Sequence, residues 1–227
     1  DGVVTVPGFY DGVSLSDDDK AVLSKVPDDE ERILAEMGLA RADSVAPSLQ
    51  EAIQYPSLNI RGLSAAWVGE QARTIIPPTA TAELDIRLVA ESDPERLMEL
   101  LRRHIESLGY TVLDRAPTGD ERRRFDRIVS LEHEVSYGAF RSDMDAAAGR
   151  MARSGLEALY GEEPILIRTM GGSIPIAPII DALRVPAAIV PTVNIDNNQH
   201  SPNENLRLGN FVEGIAMLMA VLGQAAP

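Results

Sequence analysis

The chain has 227 residues, 44% hydrophobic and 25% charged, enough for one large or two small cores and unlike a disordered polypeptide. Its 21 basic against 35 acidic residues give a net charge of −14, which repels a phosphate backbone and excludes nucleic acid as an expected partner. Without cysteine there is no disulfide scaffold, thiolate metal site or cysteine nucleophile, so any metal must be held by His, Asp or Glu.

Apolar runs of the Ile-Pro-Ile-Ala-Pro-Ile-Ile kind at 174–180 are far short of a bilayer span, and no membrane contact is expected. The lack of cysteine is compatible with a reducing cytosol, and a cytoplasmic protein is expected. The chain opens at Asp1 with neither a Met nor a signal-peptide pattern, which points to trimming or to missing upstream sequence.

In chain order, Val3 to Val6 reads as a short strand stopped by Pro7-Gly8. Two acidic helix starts follow, Ser16-Asp17-Asp18-Asp19 and Asp28-Asp29-Glu30-Glu31, the second helix ending at Gly38. Strands are expected over 58–62 and 81–88. In the latter, Ala82, Leu84, Ile86 and Leu88 alternate toward a core while Glu83, Asp85 and Arg87 face outward. Asp93-Pro94-Glu95 starts a helix with apolar face Leu97, Leu101, Ile105 and Leu108, closed by Gly109. A strand at 111–113, an Arg-rich loop at 115–127 and a strand near 128–135 complete a small α+β layer with helices on one side of the sheet.

After Ser142-Asp143 the texture becomes α/β: a helix over 143–159, a strand at 165–167, a Gly-Gly loop, a short helix, a strand at 187–190, a polar loop, and a last helix with Phe211, Ile215, Leu218 and Leu222 along one face. Two strands cannot form a stable doubly wound sheet, so this part is expected to be half of a domain whose remainder precedes Asp1.

Three histidines occur. His104 on the 94–108 helix and His133 between Glu132 and Glu134 read as structural or solvated. His200 lies in the polar loop from Ile195 to Asn205, after an expected core strand, where α/β folds collect binding groups. Its neighbours Asp196 and Glu204 serve equally well as metal ligands or as a turn residue and a helix cap. Met170-Gly171-Gly172-Ser173 before a helix is either a tight turn or a loop whose free N–H groups meet an anion, but it lacks the Lys of a nucleotide-binding loop. Arg87 reads as a solvated strand residue, Thr74 as a loop residue and Trp67 as a packing anchor.

Taken jointly, Leu58-Asn59-Ile60-Arg61-Gly62, Gly69 to Pro77, Asp85-Ile86-Arg87-Leu88-Val89, Gly171-Gly172-Ser173-Ile174-Pro175 and His200-Ser201-Pro202-Asn203-Glu204 resemble the M20 metallopeptidase family, nearest to its carnosinase-like dipeptidase branch. Val4 to Asp11 also look like that branch. The resemblance implies a lid or dimerisation domain over residues 1–140, with an antiparallel sheet and flanking helices and its first strand and helix missing. Residues 141–227 would then be the C-terminal part of an α/β catalytic domain. It implies His200 as a metal ligand, Gly172 and Ser173 as a substrate-binding loop, and Thr74 and Arg87 as lid residues holding the substrate carboxylate. A guanidinium fork suits that task.

The family uses two divalent metals, here expected to be zinc with manganese or cobalt as alternatives, to cleave dipeptides or N-acyl amino acids. A homodimer through the lid is implied. The His-x-Asp motif, the bridging Asp, the Glu-Glu pair that carries the general base and a lid His-Ser-Gly motif have no counterpart in the sequence. A chain that is inactive alone is therefore expected, containing no catalytic base of its own. The alternative is a non-catalytic binding or dimerisation module that retains the lid fold.

Overall fold

The computed structural model describes residues 2–172 and 174–224. Its elements run α1 (Asp17–Leu23), α2 (Glu30–Met37), α3 (Leu49–Ala52), β1 (Ser57–Ser64), β2 (Thr81–Arg87), α4 (Pro94–Ser107), β3 (Thr111–Leu113), α5 (Gly119–Arg124), β4 (Ile128–Ser130), α6 (Ala147–Tyr160), α7 (Ala177–Leu183) and α8 (Leu208–Leu222). The chain divides into two compact units. One holds residues 1–17 and 28–139, the other residues 18–27 and 140–227. Residues 18–27, read from sequence with the first half of the chain, group with the second.

In the first unit β1 and β2 form an antiparallel pair, Leu58 opposite Ile86 and Ile60 opposite Leu84, with a bulge between Ile60 and Gly62. Period-2 alternation sends Leu84, Ile86 and Leu88 onto a core of Val6, Phe9, Leu97 and Leu101. Ala82, expected inward, is exposed because β2 extends past the core at that end. Asp93 caps α4 by accepting a hydrogen bond from the Arg96 N–H at 3.1 Å, and Pro94 occupies the first turn, as the Asp-Pro-Glu signal requires. Phe9 and Leu97, 2% and 1% exposed, anchor this core, each worth about 1.5–3 kcal/mol relative to exposure. Leu108, expected on the same face, is exposed beyond the last helical turn.

The expected strand at Val3–Val6 does not form. The Val4 N–H donates to the Tyr10 hydroxyl at 2.7 Å and the Phe9 N–H to the Val6 carbonyl at 3.1 Å, so a turn around Pro7-Gly8 replaces ladder bonds. The Arg-rich segment read as a loop contains α5. Its Thr118 and Glu121 make a reciprocal capping box, a Thr-x-x-Glu signal legible in the sequence. This helix is the crossover that lets β3 and β4 pair in parallel, Thr111 opposite Ile128. The expected strand to 135 stops at Ser130, since the Leu131 N–H to Leu113 carbonyl bond at 2.8 Å is the last that β3 can offer.

In the second unit α6 begins at Ala147 rather than Asp143. Asp143 instead forms a side-chain turn with the Asp145 N–H at 2.8 Å. α6 and α8 pack backbone to backbone at Gly155, where an added Cβ would lie 2.5 Å from the Val221 Cα. The inward stripe of α8 is Gly214, Met217 and Val221. The expected face of Phe211, Ile215, Leu218 and Leu222 is exposed, because the helix is apolar nearly all round and periodicity alone cannot choose its packed side.

The strands expected at 165–167 and 187–190 do not form, since no strand of this unit lies alongside among the described residues. The Ala187 N–H is met by the Ser142 hydroxyl at 2.9 Å instead of by a ladder. No helix among the described residues is long and apolar enough to cross a membrane.

Candidate functional site

The segment from Asn194 to Arg207 is built around one buried amide. Asn194 is 6% exposed and its Nδ2 donates to Asp196 Oδ1 at 2.8 Å and to Asn205 Oδ1 at 3.4 Å. Its Oδ1 accepts from the Arg207 N–H at 3.1 Å. The loop is closed again by Asn205 N–H to the Asn197 carbonyl and Ser201 N–H to the Asn198 carbonyl, both 2.9 Å. Three non-glycine residues inside it, Asn198, His200 and Asn203, have φ of 53, 62 and 65°. Such left-handed positions cost energy and persist only where surrounding contacts over-determine them.

His200 is exposed, and its backbone N–H faces Glu204 Oε2 at 3.4 Å. Asp196 pairs with the Arg207 guanidinium as well as with Asn194. The Asn194 hydrogen bond, then the Arg207 charge, hold its carboxyl below the usual range. The two acidic neighbours of His200 are thus engaged with the loop itself. Among the described residues no group of three or more His, Asp or Glu side chains converges to hold a metal ion. An exposed imidazole fits a single metal donor, but these residues do not make a complete metal centre.

Gly172 lies in a bend well before α7, which starts at Ala177 with no side-chain cap, so the loop does not run directly into a helix N-terminus as its sequence suggested. A Cβ at Gly172 would meet nothing within 4 Å. Ser173 lies outside the described residues. Just upstream, the Arg168 guanidinium, 10% exposed, donates to Asp19 Oδ1 at 2.7 Å and ties the segment preceding the Gly-Gly loop to α1.

In the first unit Thr74 is exposed in the long connection between β1 and β2. Beside it Trp67, Gln71 and Arg73 line an open depression. Trp67, expected to anchor packing, is exposed instead. Arg87 stands at the opposite end of β2, facing Ser57 in the ladder, about 20 Å of strand from the base of that connection. Its Nε donates to Asp85 Oδ2 at 2.6 Å on the same face. His133 lies 3.2 Å from Glu95 Oε2 and His104 is half-buried on α4, both away from the Thr74 segment in sequence. Asn194, Arg207 and Arg168 were not singled out by sequence reasoning. The only available signal was Asn-x-Asp at the start of the polar loop.

This architecture is similar to that of M20-type peptidases. Residues 20–112 match the model of the M20 peptidase dimerisation domain. Over 97% of its length the chain is 28% identical to the Cys-Gly metallodipeptidase DUG1 of Saccharomyces cerevisiae, and over 96% it is 23% identical to the Beta-Ala-His dipeptidase of Rattus norvegicus. These alignments take in 44% and 43% of the two relatives, so the chain spans under half the length of the curated proteins it matches.

Among solved structures, the dipeptidase Dug1p of Saccharomyces cerevisiae superposes with a TM-score of 0.74 at 26% identity, covering 97% of this chain and 44% of that one. The M20 metallo-carboxypeptidase Sso-CP2 of Sulfolobus solfataricus shares the fold, with a TM-score of 0.76 at 24% identity, covering 97% of this chain and 48% of that one. In sequence and fold the chain is similar to M20 peptidases, metallodipeptidases among them.

Proposed function

We propose that the chain is part of a metal-dependent amidohydrolase that cleaves dipeptides or N-acyl amino acids. The observation that carries this reading is the similarity to metallodipeptidases, which runs through both units and includes the strained loop bearing an exposed His200. Residues 1–140 act as the lid and dimerisation domain and 141–227 as the C-terminal part of the catalytic domain. His200 would supply one donor to one of two divalent metals, zinc or else manganese or cobalt, whose chemistry there would be to polarise an amide carbonyl and make water nucleophilic. Arg87, oriented by Asp85, holds the substrate's terminal carboxylate, and Thr74, on the connection at the other end of β2, makes a separate contact to the substrate. Gly172 and Ser173 line the loop along which the substrate backbone lies, with room left by the missing side chain at Gly172. The assembly is a cytoplasmic homodimer.

In this reading the chain brings His200 to the metals and relies on the family's His-x-Asp and Glu-Glu motifs from elsewhere for the general base, and it is inactive alone. The deciding experiment assays this chain and the full reading frame that contains it against a dipeptide panel with added zinc or manganese. Metal-dependent turnover by the full frame and none by the chain is expected. Turnover by the chain alone overturns its inactivity, and none by the full frame overturns the hydrolase reading. A second reading, a non-catalytic dimerisation module, is favoured by the family match lying within residues 20–112 and by the absence of a three-donor cluster among the described residues. A full frame lacking His-x-Asp and Glu-Glu motifs upstream would support it.

A further inference from the structure

We infer that Asn194 is a positioning residue for His200, its buried carboxamide clamping both ends of the loop that presents the imidazole. This rests on the hydrolase reading for what His200 does, but the clamp itself is a property of the loop.

Both Nδ2 protons and the Oδ1 of Asn194 are used, and each points to a different part of the loop. Asp196 lies two residues on, Asn205 eleven, and the Arg207 N–H thirteen. Asp196 is held a second time by the Arg207 guanidinium, so the entry and exit of the loop are joined twice. A carboxamide at this depth is retained only where its hydrogen bonds are made, since an unmade one costs the desolvation of the group. Between the clamped ends, the backbone of His200 sits at φ 62°, a conformation a non-glycine residue does not keep unaided. The hydrogen bonds that shape the middle of the loop, Gln199 N–H to Asn197 Oδ1 at 2.9 Å and Ser201 N–H to the Asn198 carbonyl at 2.9 Å, are local and exposed, and so cheap to open. Asn194 is the buried element among them. No other residue of the loop is buried.

Asn194→Asp and Asn194→Ala separate the parts of the clamp. The aspartate keeps an acceptor for the Arg207 N–H but loses both donors and sets a carboxylate against Asp196. Alanine loses everything. Two readouts are taken.

In the chain described here, the three-bond HN–Hα coupling and backbone shifts of His200 report its left-handed conformation by NMR. Both variants are expected to average them, while the resonances of His104 and His133 and the melting temperature stay near wild type. In the full reading frame, both variants are expected to lose about tenfold or more in zinc content at limiting metal and in kcat, with KM little changed. Unaltered His200 couplings in both variants, or a global loss of folding with no selective loop effect, overturn the inference. So does Asn194→Asp behaving as wild type. If His200→Ala leaves zinc content and activity unchanged, the metal-ligand role of His200 fails while the couplings still test the clamp. If His200→Ala abolishes both and the Asn194 variants do not, the clamp fails and the reading stands.

Discussion

Arg87 Nε and Asp85 Oδ2 lie 2.6 Å apart on one face of β2, two residues apart along the strand. Side chains at i and i+2 share a face, so this contact is a direct result of strand geometry. With half of the guanidinium side chain exposed, the pair adds little to stability, within the range of about 0–1 kcal/mol for surface pairs. Its use lies in fixing the guanidinium. Arg87→Ala in the full reading frame should raise KM for a substrate with a free terminal carboxylate, by about 1.5–3 kcal/mol in binding, and leave a substrate lacking that group unaffected. Steady-state kinetics on the matched pair checks this. Equal losses on both substrates, or none on either, would remove the carboxylate role.

Gly155 and Gly172 give opposite expectations for the same substitution. At Gly155 a methyl group would overlap the α8 backbone, so Gly155→Ala is expected to destabilise by about 1–3 kcal/mol, read as a lower urea midpoint. At Gly172 the methyl group meets open space, and Gly172→Ala should stay within about ±0.5 kcal/mol while lowering activity of the full frame. A large stability loss at Gly172 would show that the loop is packed in solution.

Glu121 accepts from Arg115 Nη1 and Nη2 at 2.9 and 2.7 Å and from the Thr118 N–H and hydroxyl, both at 2.8 Å. The Arg115 hydrogen bonds first, then those from Thr118, hold its carboxyl far below the usual range. A depressed folded pKa contributes stability above the unfolded value, and that contribution is lost as the pH falls below it toward the folded one. Carbon-detected NMR titration of the Glu121 carboxyl should therefore show it still ionised below the usual carboxylate range. Arg115→Gln should move it up and bring acid melting of α5 to higher pH. A Glu121 titration like that of an ordinary glutamate would mean that the capping box does not persist in solution.

Tyr160 donates its hydroxyl to Glu213 Oε1 at 2.7 Å, linking α6 to α8. The hydrogen bond to a carboxylate raises the phenol's pKa. For a raised group the stabilisation is complete below the unfolded value near 10 and fades as the pH climbs through the folded one. Ultraviolet titration should show late ionisation of Tyr160 as a component that Tyr160→Phe removes. An unchanged curve would place the bond outside the solution structure.

Light scattering of the chain at micromolar concentration is expected to give a homodimer, with β2 and α4 supplying the dimerisation elements of the first unit. A monomer at that concentration would count against residues 1–140 as a dimerisation domain.

Local signals were legible wherever the cause was itself local. The Asp93-Pro94 start of α4 and the Asp29 cap of α2 are fixed by bonds spanning three or four residues, and period-2 alternation placed Leu84, Ile86 and Leu88 on the core, whereas the equally local Thr118-x-x-Glu121 box went unread inside a stretch taken for a loop. The family resemblance was legible too, because its motifs are short strings whose order survives without any fold. What needed tertiary structure was every choice between equivalent local options. An apolar helix such as α8 offers two packable faces, and close contacts from other segments, Gly155 of α6 against Val221 and Thr192 against Gly214, select the one that is packed. A run such as 165–167 becomes a strand only if another strand lies beside it. Asn194 likewise reads as one more polar loop residue until the fold buries it against partners two to thirteen positions away, and a hydrogen bond between distant residues leaves no periodicity in the sequence for a reader to find.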